Sequence, residues 1–121
     1  MYNILSGIEL CKKYFDINVQ QLIDPTLLLE FSDYKKLFDN KKLKNRKGIL
    51  CYFIDYNKDK KLLIKETEKI LNMPSFFVNS RVEDCNNYTI ETQPPVEEWL
   101  KGFNDAEFVL TDSFHACIFS I

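Results

Sequence analysis

The residues best placed to do chemistry are Thr111, Asp112, Ser113 and His115, four of five consecutive positions near the end of the sequence. They follow Glu107-Phe108-Val109-Leu110, a short apolar run that reads as a buried strand. They lead into Ala116-Cys117-Ile118-Phe119-Ser120-Ile121, which reads as the start of a helix. A strand that turns into a helix through Thr-Asp-Ser gathers unpaired backbone N–H groups and small hydroxyls at one point, and anions bind at such points. Asp112 or Ser113 suits the N-cap of that helix. His115 is the only histidine, and histidine is the side-chain type best suited to proton transfer near neutral pH. The same turn is also ordinary capping chemistry, and a lone histidine is often structural.

The elements that must position this turn can be read upstream. Pro94-Pro95-Val96-Glu97-Glu98-Trp99-Leu100-Lys101-Gly102-Phe103 carries the cleanest helix signal, with Val96, Trp99, Leu100 and Phe103 at i, i+3, i+4 and i+7. Pro95 suits the first helical position, and two glutamates sit at the positive end. Trp99 is expected to anchor the core. Gly48-Ile49-Leu50-Cys51-Tyr52-Phe53-Ile54 is a near-continuous apolar run, as in a strand covered on both faces of a parallel sheet. Asp59 to Leu71 reads as a helix with Leu63, Thr67, Ile70 and Leu71 on its buried face, stopped by Asn72-Met73-Pro74. Ser75 to Val78 reads as the next strand, residues 79–88 as loop, and Tyr88 to Thr92 as a further short strand. Strand, helix, strand, loop, helix, strand, helix makes a doubly wound α/β half-domain, whose ligand sites lie at the C-terminal ends of the strands. The Thr111–His115 turn lies on that edge.

The first forty residues are less regular. Ser6-Gly7-Ile8-Glu9 reads as a capping box opening a helix over about residues 7–15, which Asp16-Ile17-Asn18 ends. Val19 to Ile23 reads as a strand stopped by Asp24-Pro25-Thr26, since Pro25 has no N–H to give. Leu27, Leu28 and Leu29 are expected to be buried. Ser32-Asp33 would cap a short helix through Tyr34, Leu37 and Phe38. Residues 41–47 hold five basic side chains in seven and read as a solvated linker at a domain boundary.

At 121 residues the chain is enough for one core, and 45% hydrophobic with 28% charged residues fits a soluble globular protein. A net charge of −2 gives no general attraction to nucleic acid or anionic membrane. No apolar run reaches spanning length, and no signal peptide is expected. Cys11, Cys51, Cys85 and Cys117 are scattered, so neither a metal site nor a disulfide framework is expected, and the thiols read as those of a cytoplasmic protein. The apolar last helix, barely two turns long, leads us to expect a domain cut short within a larger one. An open sheet edge would then favour a homodimer.

Thr111-Asp112-Ser113-Phe114-His115, with Pro95-Val96-Glu97-Glu98-Trp99-Leu100 and Asp105-Ala106-Glu107-Phe108-Val109, resembles the polysaccharide pyruvyl transferase family. Ser6-Gly7-Ile8-Glu9-Leu10-Cys11 and Asp24-Pro25-Thr26-Leu27-Leu28-Leu29 match its usual pattern in the right order. The resemblance implies a Rossmann-like half-domain with a mostly parallel sheet, part of a GT-B-like two-domain fold. Residues 1–40 would end the N-terminal domain, 41–47 would link, and 48–121 would begin the C-terminal domain. It implies transfer of a pyruvyl group from phosphoenolpyruvate to a sugar hydroxyl of a cell-surface polysaccharide, with no cofactor. The family's histidine falls on His115, as the catalytic residue, and its donor-binding residues on Thr111, Asp112 and Ser113. Asp112 would either orient His115 or cap the helix. Ala116 stands where the family usually has glycine and adds a methyl that a close ligand would meet. Without the opposing domain, this chain is expected not to turn over. A GT-B-like nucleotide-sugar glycosyltransferase fragment and an inactive α/β domain are the alternatives.

Overall fold

Ile49, Leu50 and Cys51 are fully buried, and the architecture follows from the need to cover both faces of the strand that carries them. The computed structural model describes residues 4–78 and 94–121, with side chains from residue 7 onward. The described elements run α1 (Ile4–Phe15), a 3-10 turn (Pro25–Leu28), α2 (Phe31–Lys35), β1 (Ile49–Tyr52), α3 (Lys58–Leu71), β2 (Ser75–Phe77), α4 (Val96–Asp105), β3 (Phe108–Thr111) and α5 (Phe114–Phe119). The three strands form one all-parallel sheet in the order β2-β1-β3, which is the expected α/β, Rossmann-like half-domain. Leu50 lies opposite Phe76 on one side and Val109 on the other. None of the described helices is long and apolar enough to cross a membrane.

Strand alternation divides the core in two. Ile49, Cys51 and Phe53 face α3 and pack with Ile64, backed by Tyr56, Leu71, Met73 and Phe77. Leu50 faces the other way and packs with Val78, Phe103 of α4 and Ala116 of α5, backed by Tyr52, Trp99 and Phe119. Trp99 is the anchor its spacing promised: its ring lies 4.6 Å from Phe103, 5.0 Å from Phe119 and 5.7 Å from Tyr52. Gly102 lets α4 settle onto the end of β2, since a Cβ there would stand 2.4 Å from Val78 Cγ1.

Several expectations need correcting. The α3 stripe is turned: Ile64 is buried, whereas Leu63 and Ile70 are 49% and 79% exposed. Adjacent apolar residues at 62–64 and 70–71 leave the helix phase open, and polar tethers decide it. Lys60 reaches Asp112, and the Glu68 carboxylate accepts the Ser75 N–H at 2.9 Å. Val96 is likewise exposed, and Pro95 is the N-cap of α4. α1 begins at Ile4, so Ser6 lies inside it and not at its cap. Its end is as expected, with Asp16 at φ 51° and its N–H on the Lys12 carbonyl. Val19 to Ile23 is not a strand: it meets no strand of the sheet, and Leu22 and Ile23 stay exposed. Leu27, Leu28 and Leu29 are also exposed, at 47%, 68% and 53%. α2 is capped two or three residues early, at Glu30, whose N–H is accepted by Asp33 at 3.4 Å.

The basic stretch is solvated, as expected, in that Lys41, Lys42, Lys44 and Lys47 are all exposed, and Lys41 also pairs with Glu97 and Lys47 with Glu107. The Arg46 guanidinium lies 2.9 Å from Glu98, and its backbone N–H donates to Asp105 at 3.1 Å. These ties hold the stretch to both ends of α4. The loop expected over 79–88 and the strand expected over Tyr88 to Thr92 lie outside the described residues.

Candidate active site

α3 leaves β1 for one face of the sheet, and α5 leaves β3 for the other. The crevice between neighbouring strands whose following helices diverge is where ligands bind in open parallel sheets. Here it lies between the C-terminal ends of β1 and β3, and the Thr111–His115 turn forms one wall.

The turn is tightly self-bonded. Thr111 Oγ1 accepts the Ser113 N–H at 3.0 Å. Ser113, not Asp112, is the N-cap of α5, and its hydroxyl accepts the Ala116 N–H at 3.4 Å. Ser113 is 6% exposed. The Ala116 methyl does not face the crevice; it sits fully buried in the core with Leu50, Val78 and Phe103. The methyl of Ala116 is therefore part of the core packing.

Asp112 does neither of the two tasks expected of it. Its Oδ1 accepts the Ile54 N–H at 2.8 Å, just beyond β1, and its Oδ2 pairs with Lys60 in the first turn of α3. Lys60 also donates to the Asp55 carbonyl and lies over the Phe53 ring at 5.3 Å. One carboxylate thus ties the end of β3 to the end of β1 and to α3, directly across the crevice. Partial burial works to raise the Asp112 carboxyl, but the Lys60 ammonium and the Ile54 and Asp55 N–H groups overcome it and hold it below the usual range. The sign follows. A carboxyl with a lowered folded-state pKa adds stability that is present above its ordinary value, about 4, and is lost as pH falls through the lowered one. Stability measured by urea unfolding should therefore fall with acidification below about pH 4, and Asp112→Asn should flatten that fall. An unchanged slope would mean that the pair contributes nothing.

His115 is 58% exposed on the outer side of α5. Its Nε2 lies 3.3 Å from Oδ2 of Asp24, and its ring meets Phe114 edge-on at 5.6 Å. Asp24 comes from the first forty residues, where it caps the 3-10 turn. Its Oδ1 accepts both the Thr26 N–H at 3.0 Å and the Thr26 hydroxyl at 2.6 Å. These two bonds, and then the imidazole, hold the Asp24 carboxyl below the usual range. Asp24 and Lys60 are the two members of this edge that the sequence did not single out. Asp24 stood there as a turn residue before proline and as the start of the Asp-Pro-Thr-Leu-Leu-Leu motif, with no site role, and Lys60 carried no reading of its own.

Thr111, Asp112, Ser113 and His115 therefore share one edge but turn three ways: two hydroxyls into the turn, one carboxylate across the crevice, one imidazole outward to Asp24. No curated protein and no solved structure matches the chain. The family model for polysaccharide pyruvyl transferase matches residues 6–121, a span that takes in Asp24, Lys60 and the whole turn. The chain belongs to the polysaccharide pyruvyl transferase family.

Proposed function

We propose that this edge of the sheet forms part of a site that takes the pyruvyl group of phosphoenolpyruvate and passes it to a saccharide. The observation that carries the reading is the position of the lone histidine: accessible, on the helix that leaves β3, within a chain of this family. In the reaction two sugar hydroxyls add to C2 of the enol phosphate. One hydroxyl proton ends on the C3 methylene, which becomes a methyl group, and the other leaves with inorganic phosphate. His115 is assigned the proton transfer, to the methylene or to the departing phosphate. Asp112, a carboxylate, is a poor direct ligand for so negative a donor; its part in donor binding is to hold Lys60 at the crevice. Thr111 and Ser113 shape the turn whose backbone faces the donor. In this reading residues 1–40 close an N-terminal domain, 41–47 connect it, and 48–121 open the second domain of a GT-B-like enzyme.

Ligand-induced stabilisation tests the assignment. Phosphoenolpyruvate should raise the melting temperature of the chain in a concentration-dependent way, as mass action requires. Nucleotide sugars should not. Stabilisation by a nucleotide sugar alone would move the chain to the glycosyltransferase reading, and no response to either would leave an α/β domain without donor binding.

A further inference from the structure

The imidazole of His115 has two distinct nitrogens, and its neighbour decides between them. Asp24 Oδ2 lies 3.3 Å from Nε2. An ionised carboxylate offers only lone pairs, so it favours a proton on the nitrogen that faces it. Neutral His115 then has its lone pair on Nδ1, on the side away from Asp24. From this geometry we infer that Asp24 is a positioning residue, and that Nδ1, not Nε2, is the nitrogen that exchanges a proton with substrate. The inference rests on the proton-transfer role proposed for His115.

Asp24 is built to hold this place. Pro25 fixes the backbone that follows it, and both Thr26 bonds fall on Oδ1, so that Oδ2 is left for the imidazole. The turn is also fastened to α5 by a second route. The Thr26 carbonyl accepts the Tyr34 hydroxyl at 3.0 Å, and the Tyr34 ring meets Phe119 at 5.0 Å. Phe119 lies one helical turn beyond His115 on the same helix. Asp24, Thr26, Tyr34, Phe119 and His115 thus close a ring of contacts, and the carboxylate cannot drift from the imidazole without breaking one of them. A tether for the 16–29 segment would need only the route from Thr26 through Tyr34 to Phe119. The second link ends on the only histidine.

Because His115 is the only histidine, nitrogen-15 NMR of the uniformly labelled chain reports its ring without ambiguity. At alkaline pH the wild-type chain should show a protonated Nε2 and an unprotonated Nδ1, well separated in shift. Asp24→Ala should draw the two signals together as the tautomers average, while the backbone amides of the sheet stay in place. Thr26→Val, which removes only the hydroxyl bond to Asp24, should produce a smaller change in the same direction. Added phosphoenolpyruvate should move Nδ1 more than Nε2. A wild-type ring protonated on Nδ1, or ring signals indifferent to Asp24→Ala and Thr26→Val, would overturn the inference, as would a larger donor-induced shift at Nε2. If Asp24→Ala mixes the tautomers while phosphoenolpyruvate moves neither nitrogen, the positioning role stands and the donor assignment falls.

Discussion

Replacing Gly48 by alanine is expected to lower folding stability by about 3 kcal/mol, the sum of backbone strain and overpacking each of about 1–3 kcal/mol. Gly48 sits at φ 108°, a region that side chains with a Cβ rarely adopt, and its added Cβ would stand 2.2 Å from the Pro74 carbonyl oxygen. That oxygen is already committed to the Ile49 N–H at 2.9 Å. The Gly48 carbonyl in turn accepts the Glu107 N–H at 2.9 Å, at the start of β3. One residue therefore locks the central strand to both neighbours, and displacing it disturbs both registers. Gly7 is the control. It lies inside α1 with nothing near its missing Cβ, so Gly7→Ala should be neutral or stabilising by about 0.5–1 kcal/mol. Urea unfolding of the two variants should separate them clearly. Similar midpoints would show that the Gly48 turn yields without strain.

The second half of the fold was readable because its signals are local and redundant. Ile49-Leu50-Cys51-Tyr52 is apolar at every position, which only a strand buried on both faces requires, and it is the central strand. The Trp99-Leu100-Phe103 stripe allows one helix phase, and that phase is the one found. Where two phases were available, at Leu62-Leu63-Ile64, the choice passed to Lys60, whose partner Asp112 is distant in sequence, and to Glu68, whose partner Ser75 lies beyond the end of the helix. Val19 to Ile23 has strand-forming residues but no strand to pair with, and β-propensity without a partner does not make a strand.

The candidate site divides in the same way. Position on the C-terminal edge followed from element order alone, and local capping rules narrowed the N-cap to Asp112 or Ser113, of which Ser113 is the one found. What each side chain touches did not. Asp112 reaches Lys60 across 52 residues of sequence, and no local pattern contains that pairing. The Asp24–His115 contact spans nearly the length of the described chain. The Asp-Pro-Thr motif accounts for one oxygen of its aspartate, and no local pattern names a partner for the other.

In a full-length member of the family, replacing the histidine that matches His115 by alanine should lower kcat by about a hundredfold or more, the usual scale for a lost general acid or base. Phosphate release measured with a saccharide acceptor gives the rate, and calorimetry with phosphoenolpyruvate alone gives donor affinity. The two should separate. An imidazole that is exposed on one side and held by Asp24 on the other can move a proton without contributing much to ground-state binding. Affinity should then change far less than kcat, which marks an interaction made mainly in the transition state. Equal losses in both would make His115 a donor ligand and return the proton-transfer role to another group. Near-full activity would remove it from the mechanism, and the Asp24 contact would then be only a tether between the first forty residues and α5.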